Sequence, residues 1–192
     1  MSLSAHQLSV GYNGHSIVKE MNLTLPEGRF IALLGPNGCG KPTLIQLIRG
    51  LLIPSAGEIT VGVKTIAYLD QSVSFLDPGL SIVENFLILN PDAQPFDAYS
   101  ALASFKFRNK DAEKCVGQLS GGERMRAGLA VSLMSSPPPQ LIILDEPTNH
   151  LDLDAIEAIE NALKLYQGAI LAVSHDEAFL NNIAINQTIT LN

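Results

Sequence analysis

Between an unbroken apolar run, Phe30 to Leu34, and a helical pattern, Thr43 to Leu52, lies the segment Gly35-Pro36-Asn37-Gly38-Cys39-Gly40-Lys41. Strand, glycine loop and helix in that order allow a backbone to curl around an anion. The glycines let N–H groups converge, the helix start adds positive dipole, and a lysine brings a full charge. Phosphate is the ligand this arrangement suits, with Lys41 set against β and γ phosphates. A glycine turn that binds nothing is the competing reading.

Loops of this type place Ser or Thr directly after the lysine, where its hydroxyl ligates Mg2+. Here Pro42 occupies that place and Thr43 follows. Proline suits the first turn of a helix, so the fold is expected to tolerate it. It offers neither a hydroxyl nor a backbone N–H, and a hydrogen bond to a charged group contributes roughly 1.5–3 kcal/mol. Weakened metal and nucleotide binding is therefore expected. Thr43 points about 100° further round the helix and is not expected to compensate fully.

The rest of the chain alternates short β-patterned runs with helical ones. Leu8 to Tyr12 and Met21 to Leu25 make a β-rich opening before a Pro-Glu-Gly turn at 26–28. Further strands are expected at Glu58 to Val61, Thr65 to Leu69, Leu141 to Leu144 and Ala169 to Val173, with a helix from Leu153 to Tyr166 between the last two. The order predicts an α/β fold with a mostly parallel, doubly wound core. Between roughly Asp77 and Gln118 the pattern weakens around Pro78, Pro91 and Pro95, suggesting a small helical insertion. At 192 residues, with 46% hydrophobic and 16% charged, the chain has one domain's length and enough apolar material for a core.

A net charge of −7 gives no global attraction to nucleic acid or an anionic membrane. Lys106, Arg108, Lys110 and Lys114 form a basic cluster that could be a local patch for such a partner, with a solvated helix face as the expected reading. Cys39 and Cys115 lack metal spacing and are expected as reduced thiols in a cytoplasmic protein. No stretch approaches the roughly 18 apolar residues of a membrane span, so any membrane partner would supply the span.

Two more motifs carry chemistry. In Leu119-Ser120-Gly121-Gly122-Glu123, ahead of a helical run Arg124 to Met134, Ser120 Oγ and the glycine N–H groups could grip a phosphate. An ordinary helix cap is the alternative. The apolar run Leu141 to Leu144 ends in Asp145-Glu146, two acids at the carboxyl edge of a buried strand, where α/β sheets bind ligands. Asp145 could hold Mg2+ through water and Glu146 could orient or deprotonate an attacking water. Plain turn residues are the alternative.

Gly35 to Lys41, Leu119 to Glu123, Leu141 to Glu146 and Pro147-Thr-Asn-His-Leu-Asp152 together resemble the ATP-binding cassette (ABC) family over nearly the whole chain. The resemblance implies an α/β P-loop NTPase (nucleoside triphosphatase) fold of the ABC type, with a mostly parallel core, an N-terminal antiparallel part and a helical insertion at roughly 77–135. It implies ATP and Mg2+ as ligands. It adds Gln71 as a contact to Mg2+ and attacking water, Asp152 in the loop between cassettes, His175 as a γ-phosphate switch, and Tyr12 as the aromatic stacked on adenine, a core tyrosine being the rival for the last. Asp-Glu-Pro-Thr-Asn-His-Leu-Asp, Glu123 in the signature and Val-Ser-His-Asp-Glu-Ala-Phe-Leu are most similar to the ABC-F branch, whose members usually pair two cassettes and act on ribosomes. A head-to-tail dimer with a second cassette, identical or different, is implied. Three functions fit: an ABC-F-like ATPase, a nucleotide-binding module with little turnover, and the ATPase subunit of a membrane transporter.

Overall fold

A computed structural model describes residues 3–12, 15–26 and 28–191. Five strands form one parallel sheet in the order β5-β6-β7-β3-β8: β3 Phe30–Leu34, β5 Ile66–Leu69, β6 Leu141–Asp145, β7 Ala169–Val173 and β8 Gln187–Thr190. A second, antiparallel sheet has the order β2-β1-β4, from β1 Leu3–Tyr12, β2 His15–Leu25 and β4 Ala56–Val61. Strands β3 and β7, and β6 up to its final Asp145, are apolar because both faces of the parallel sheet are covered.

Strand alternation sends neighbouring side chains into two separate cores. Ile31, Leu33, Ile143 and Leu171 face the antiparallel sheet and α1 Lys41–Ile48. Ala32, Ile142, Leu144 and Ile170 face the helical layer. That layer contains α2 Ile82–Leu89, α3 Pro95–Ser104, α4 Gly121–Leu133, α5 Leu153–Leu165 and α6 Glu177–Asn182. Both layers leave the carboxyl ends of β3, β6 and β7 on one edge, where the loops gather.

The helix after the glycine loop starts two residues earlier and ends four residues earlier than the pattern Thr43 to Leu52 predicts. Gly40, at φ 96°, turns the chain into Lys41, and Pro42 falls in the first turn. The end is set by Gly50, at φ 70°. Its N–H donates to Leu47 O and that of Leu51 to Gln46 O, a closure that needs a left-handed residue between them. The apolar Leu51 and Leu52 therefore lie outside the helix. The basic cluster is also placed differently. Lys106, Arg108, Lys110 and Lys114 are exposed, but in a loop with one 3₁₀ turn, Asn109–Asp111, since Lys106 and Asn109 both take positive φ. Among the described residues no helix is long and apolar enough to cross a membrane.

Candidate functional site

The phosphate-loop residues leave β3 and run directly into α1. Gly35 is required by space. A Cβ there would lie 2.5 Å from Cys39 Sγ and 2.7 Å from the Leu191 carbonyl, so the loop closes over a buried cysteine only without a side chain. Gly38 is required by conformation, at φ 86° with open space around it. Pro36, Asn37, Gly38 and Pro42 are exposed on this loop and first turn, while Thr43 is partly covered.

Lys41, only 8% exposed, folds back to donate to the Gly35 carbonyl. Its Nζ also lies 3.2 Å from His175 Nε2, and that nitrogen lies 3.4 Å from Glu146 Oε1. An imidazole that accepts at Nε2 carries its own proton at Nδ1. Cation, imidazole and carboxylate thus converge from three strand ends, β3, β7 and β6. His175 is held there by its neighbours: Ser174 Oγ accepts from Asp176 N at 3.1 Å, and Asp176 Oδ1 accepts from Phe179 N at 3.0 Å, capping α6. Glu146 takes φ 51° and donates its N–H to Val173 O at 2.8 Å, tying the turn after β6 to the end of β7. A non-glycine residue in that region is strained backbone held by its surroundings.

Asp145 ends β6 beside this cluster. Its Oδ2 accepts from the Tyr68 hydroxyl at 3.1 Å. Burial pushes the Asp145 carboxyl above the ordinary aspartate range, the Tyr68 hydrogen bond opposes the shift, Asp70 adds to it, and Lys41 opposes it. Burial, and next the Asp145 charge, hold the Tyr68 phenol far above its usual value, so it remains a donor. The Arg49 guanidinium, just past α1, stacks 4.3 Å above the Tyr68 ring. Tyr68 carries no motif in the sequence. It is found through strand register, because β5 and β6 run parallel with Tyr68 opposite Ile143, two residues before Asp145.

Gln71 lies exposed in the turn after β5. Asp70 builds that turn: its carboxylate accepts from Ser72 N at 2.9 Å, Ser72 Oγ at 2.8 Å, Ser74 N at 3.0 Å and Ser74 Oγ. Burial acts to raise the Asp70 carboxyl, but these hydrogen bonds outweigh it and hold it below the ordinary range.

Ser120 caps α4. Its Oγ accepts from Glu123 N at 3.2 Å while Glu123 Oε2 accepts from Ser120 N at 2.9 Å. The helix-cap reading of this serine therefore describes the chain by itself. Gly121 is exposed, whereas Gly122 is buried against α5. Asp152 caps α5 by accepting from Ala155 N at 2.8 Å. Among the described residues, the contacts linking Lys41, His175 and Glu146 do not reach Gln71, Ser120, Gly121 or Gly122. Tyr12 closes β1, and its side chain lies outside the described residues.

Among the described residues no group of three or more His, Cys, Asp or Glu side chains could hold a metal ion by itself. The donors fit Mg2+ delivered on a polyphosphate, which keeps several waters and needs one or two protein carboxylates. Asp145 offers such a carboxylate, partly buried and with one oxygen already oriented.

A family model described as ABC transporter matches residues 18–149. The energy-dependent translational throttle protein EttA of Mycobacterium tuberculosis is 36% identical over 181 residues, covering 91% of this chain and 32% of that protein. ABC transporter F family member 5 of Arabidopsis thaliana is 36% identical over 190 residues, covering 97% of this chain and 27% of that protein. The chain thus spans about a third or less of the length of these curated relatives. A solved structure of a putative metal-chelate type ABC transporter in an inward-facing conformation superposes with a TM-score of 0.81 at 29% identity, over 100% of this chain and 79% of that chain.

Proposed function

The chain belongs to the ABC family, and from that premise we propose that this ATP-binding domain of ABC-F type hydrolyses ATP to ADP and phosphate between itself and a second cassette. The observation that carries the proposal is the convergence of Lys41 and Glu146 on His175 at the foot of the glycine loop, with His175 Nε2 3.2 Å from Lys41 Nζ and 3.4 Å from Glu146 Oε1. A cation to neutralise phosphate, a carboxylate to address water and an imidazole between them are the groups phosphoryl transfer needs.

In this reading the triphosphate lies along Gly35, Pro36, Asn37, Gly38, Cys39, Gly40, Lys41, Pro42 and Thr43, with adenine on Tyr12. Lys41 exchanges its contact to the Gly35 carbonyl for β and γ oxygens. Glu146 orients the attacking water and accepts its proton, and His175 hydrogen-bonds the γ phosphate while staying beside Glu146. Mg2+, held through Asp145 and reached by Gln71, would neutralise the phosphate charge and assist the leaving group. Ser120, Gly121 and Gly122 of the second cassette close over the γ phosphate, and nucleotide acts as the ligand that holds the pair together.

A second reading is favoured by one observation. Pro42 sits exposed in the first turn of α1 with no hydroxyl to give the metal, which supports a nucleotide-binding module with weak turnover. The word translational in a relative's name supports a ribosomal partner over a membrane-transporter subunit. The two unpaired cysteines support a cytoplasmic setting.

The deciding experiment is Mg-ATP hydrolysis by the parent chain, Glu146→Gln and Pro42→Ser at concentrations that permit dimers. Turnover by the parent that Glu146→Gln abolishes supports the ATPase. A silent parent beside an active Pro42→Ser supports the binding module. Silence in all three overturns hydrolysis for this chain.

A further inference from the structure

Arg49, Tyr68 and Asp145 form a chain of contacts that the hydrolytic reading does not use. Tyr68 stands opposite Ile143 in the parallel pairing of β5 and β6, and its hydroxyl reaches forward to Asp145 Oδ2 at 3.1 Å. A carboxylate at a strand end can swing about its side-chain torsions. One donor on Oδ2 selects an orientation and leaves Oδ1 to face outward. The Tyr68 ring is fixed in turn by the Arg49 guanidinium stacked at 4.3 Å. Arg49 caps the carboxyl end of α1, and Lys41 begins the same helix. The helix that carries the phosphate loop at one end therefore restrains the metal carboxylate from the other. Because Pro42 supplies no hydroxyl, the alignment of Asp145 carries more of the protein's hold on the metal.

We propose that Tyr68 is a positioning residue for metal-dependent nucleotide binding: its hydroxyl fixes the Asp145 carboxylate toward Mg2+, and Arg49 clamps its ring. The proposal rests on the reading of the site as an Mg-ATP site and concerns what orients the metal carboxylate within it.

The test is titration of the chain with a fluorescent N-methylanthraniloyl ATP, once in EDTA and once in excess Mg2+, taking the ratio of the two affinities. Tyr68→Phe is expected to lower that ratio roughly tenfold, the size of one hydrogen bond to a charged group, with affinity in EDTA unchanged. Tyr68→Phe combined with Asp145→Asn should fall no lower than Asp145→Asn alone, since the hydroxyl acts through that carboxylate. Arg49→Gln, at an exposed position, should lower the ratio about threefold, as for one exposed cation–π contact. A parent ratio retained in Tyr68→Phe, equal losses with and without Mg2+, additive losses in the double variant, or an unchanged ratio in Arg49→Gln would each overturn the proposal. A parent that binds the nucleotide equally in EDTA and Mg2+ overturns this inference alone. A parent that does not bind the nucleotide at all overturns the Mg-ATP reading and this inference with it.

Discussion

Lys41 Nζ lies 3.2 Å from His175 Nε2, a contact that spans 134 residues of sequence and joins the start of α1 to the loop after β7. The lysine is buried and the histidine is largely exposed, so the two differ in what their loss removes. In the proposed reading Lys41 is the charge that meets phosphate in the ground state, whereas His175 also stands 3.4 Å from Glu146, the residue that would activate the attacking water. Lys41→Ala is expected to lose nucleotide affinity. His175→Ala is expected to keep affinity and lose roughly 100-fold or more in turnover, the range for a positioned proton-handling group. Equilibrium binding beside steady-state hydrolysis separates the two, and equal loss of affinity in both variants would contradict the assignment.

Gly122 is where the signature segment meets α5. A Cβ on Gly122 would lie 2.7 Å from the Ala155 Cβ, and both atoms are fixed to helical backbone. The helices must separate to admit it. Gly122→Ala should therefore destabilise the fold by about 1–3 kcal/mol, the usual cost of overpacking, and lower Tm by several degrees. A melting curve superimposable on the parent's would show that α4 and α5 yield freely.

Ser120 has a role before any second cassette arrives. Its reciprocal hydrogen bonds with Glu123 satisfy two N–H groups at the start of α4. Ser120→Ala should lower stability by about 1 kcal/mol, read as a shift of the urea midpoint without nucleotide. If Ser120 also grips phosphate across a dimer, turnover should fall much further than this stability loss explains. Turnover equal to the parent's under saturating ATP would leave the cap as its whole role.

The parallel core was legible because its strands are buried on both faces and read as unbroken apolar runs, Phe30 to Leu34 and Leu141 to Leu144 among them. The antiparallel sheet was only half legible. In β1 the buried residues Leu3, Ala5, Leu8 and Val10 change spacing at a register shift, where Gln7 takes φ 46°, and Glu20 at φ 45° interrupts β2 similarly. Bulges hide a period of two. Strand β8 is mostly exposed and polar, an edge defined by its pairing with β3 rather than by its own pattern. At the site, Lys41, Asp145 and Glu146 were legible as motifs in their strand and loop context, and His175 only through the family resemblance. Tyr68 was not, because its meaning lies in which strand it faces across the sheet.

Asp145 gives the pH dependence a definite sign. Burial raises its carboxyl above the ordinary aspartate value, so the folded chain holds this proton more tightly than the unfolded chain does. Its contribution to stability is thus fully present below the ordinary aspartate range and is lost as pH rises through the raised folded value. The ionised Asp145 carboxylate is partly buried, and the Tyr68 hydrogen bond and the Lys41 charge offset only part of the cost of that burial. Asp145→Asn keeps an acceptor for the Tyr68 hydroxyl and removes the charge. It should therefore melt above the parent at pH 7 in EDTA, with the gap closing as pH falls to about 4, near the unperturbed aspartate value. Thermal melts of both proteins across that range check the expectation. A gap that is constant with pH, or an Asn variant less stable than the parent at pH 7, would show that Lys41 and Tyr68 already neutralise the cost of burying this carboxylate.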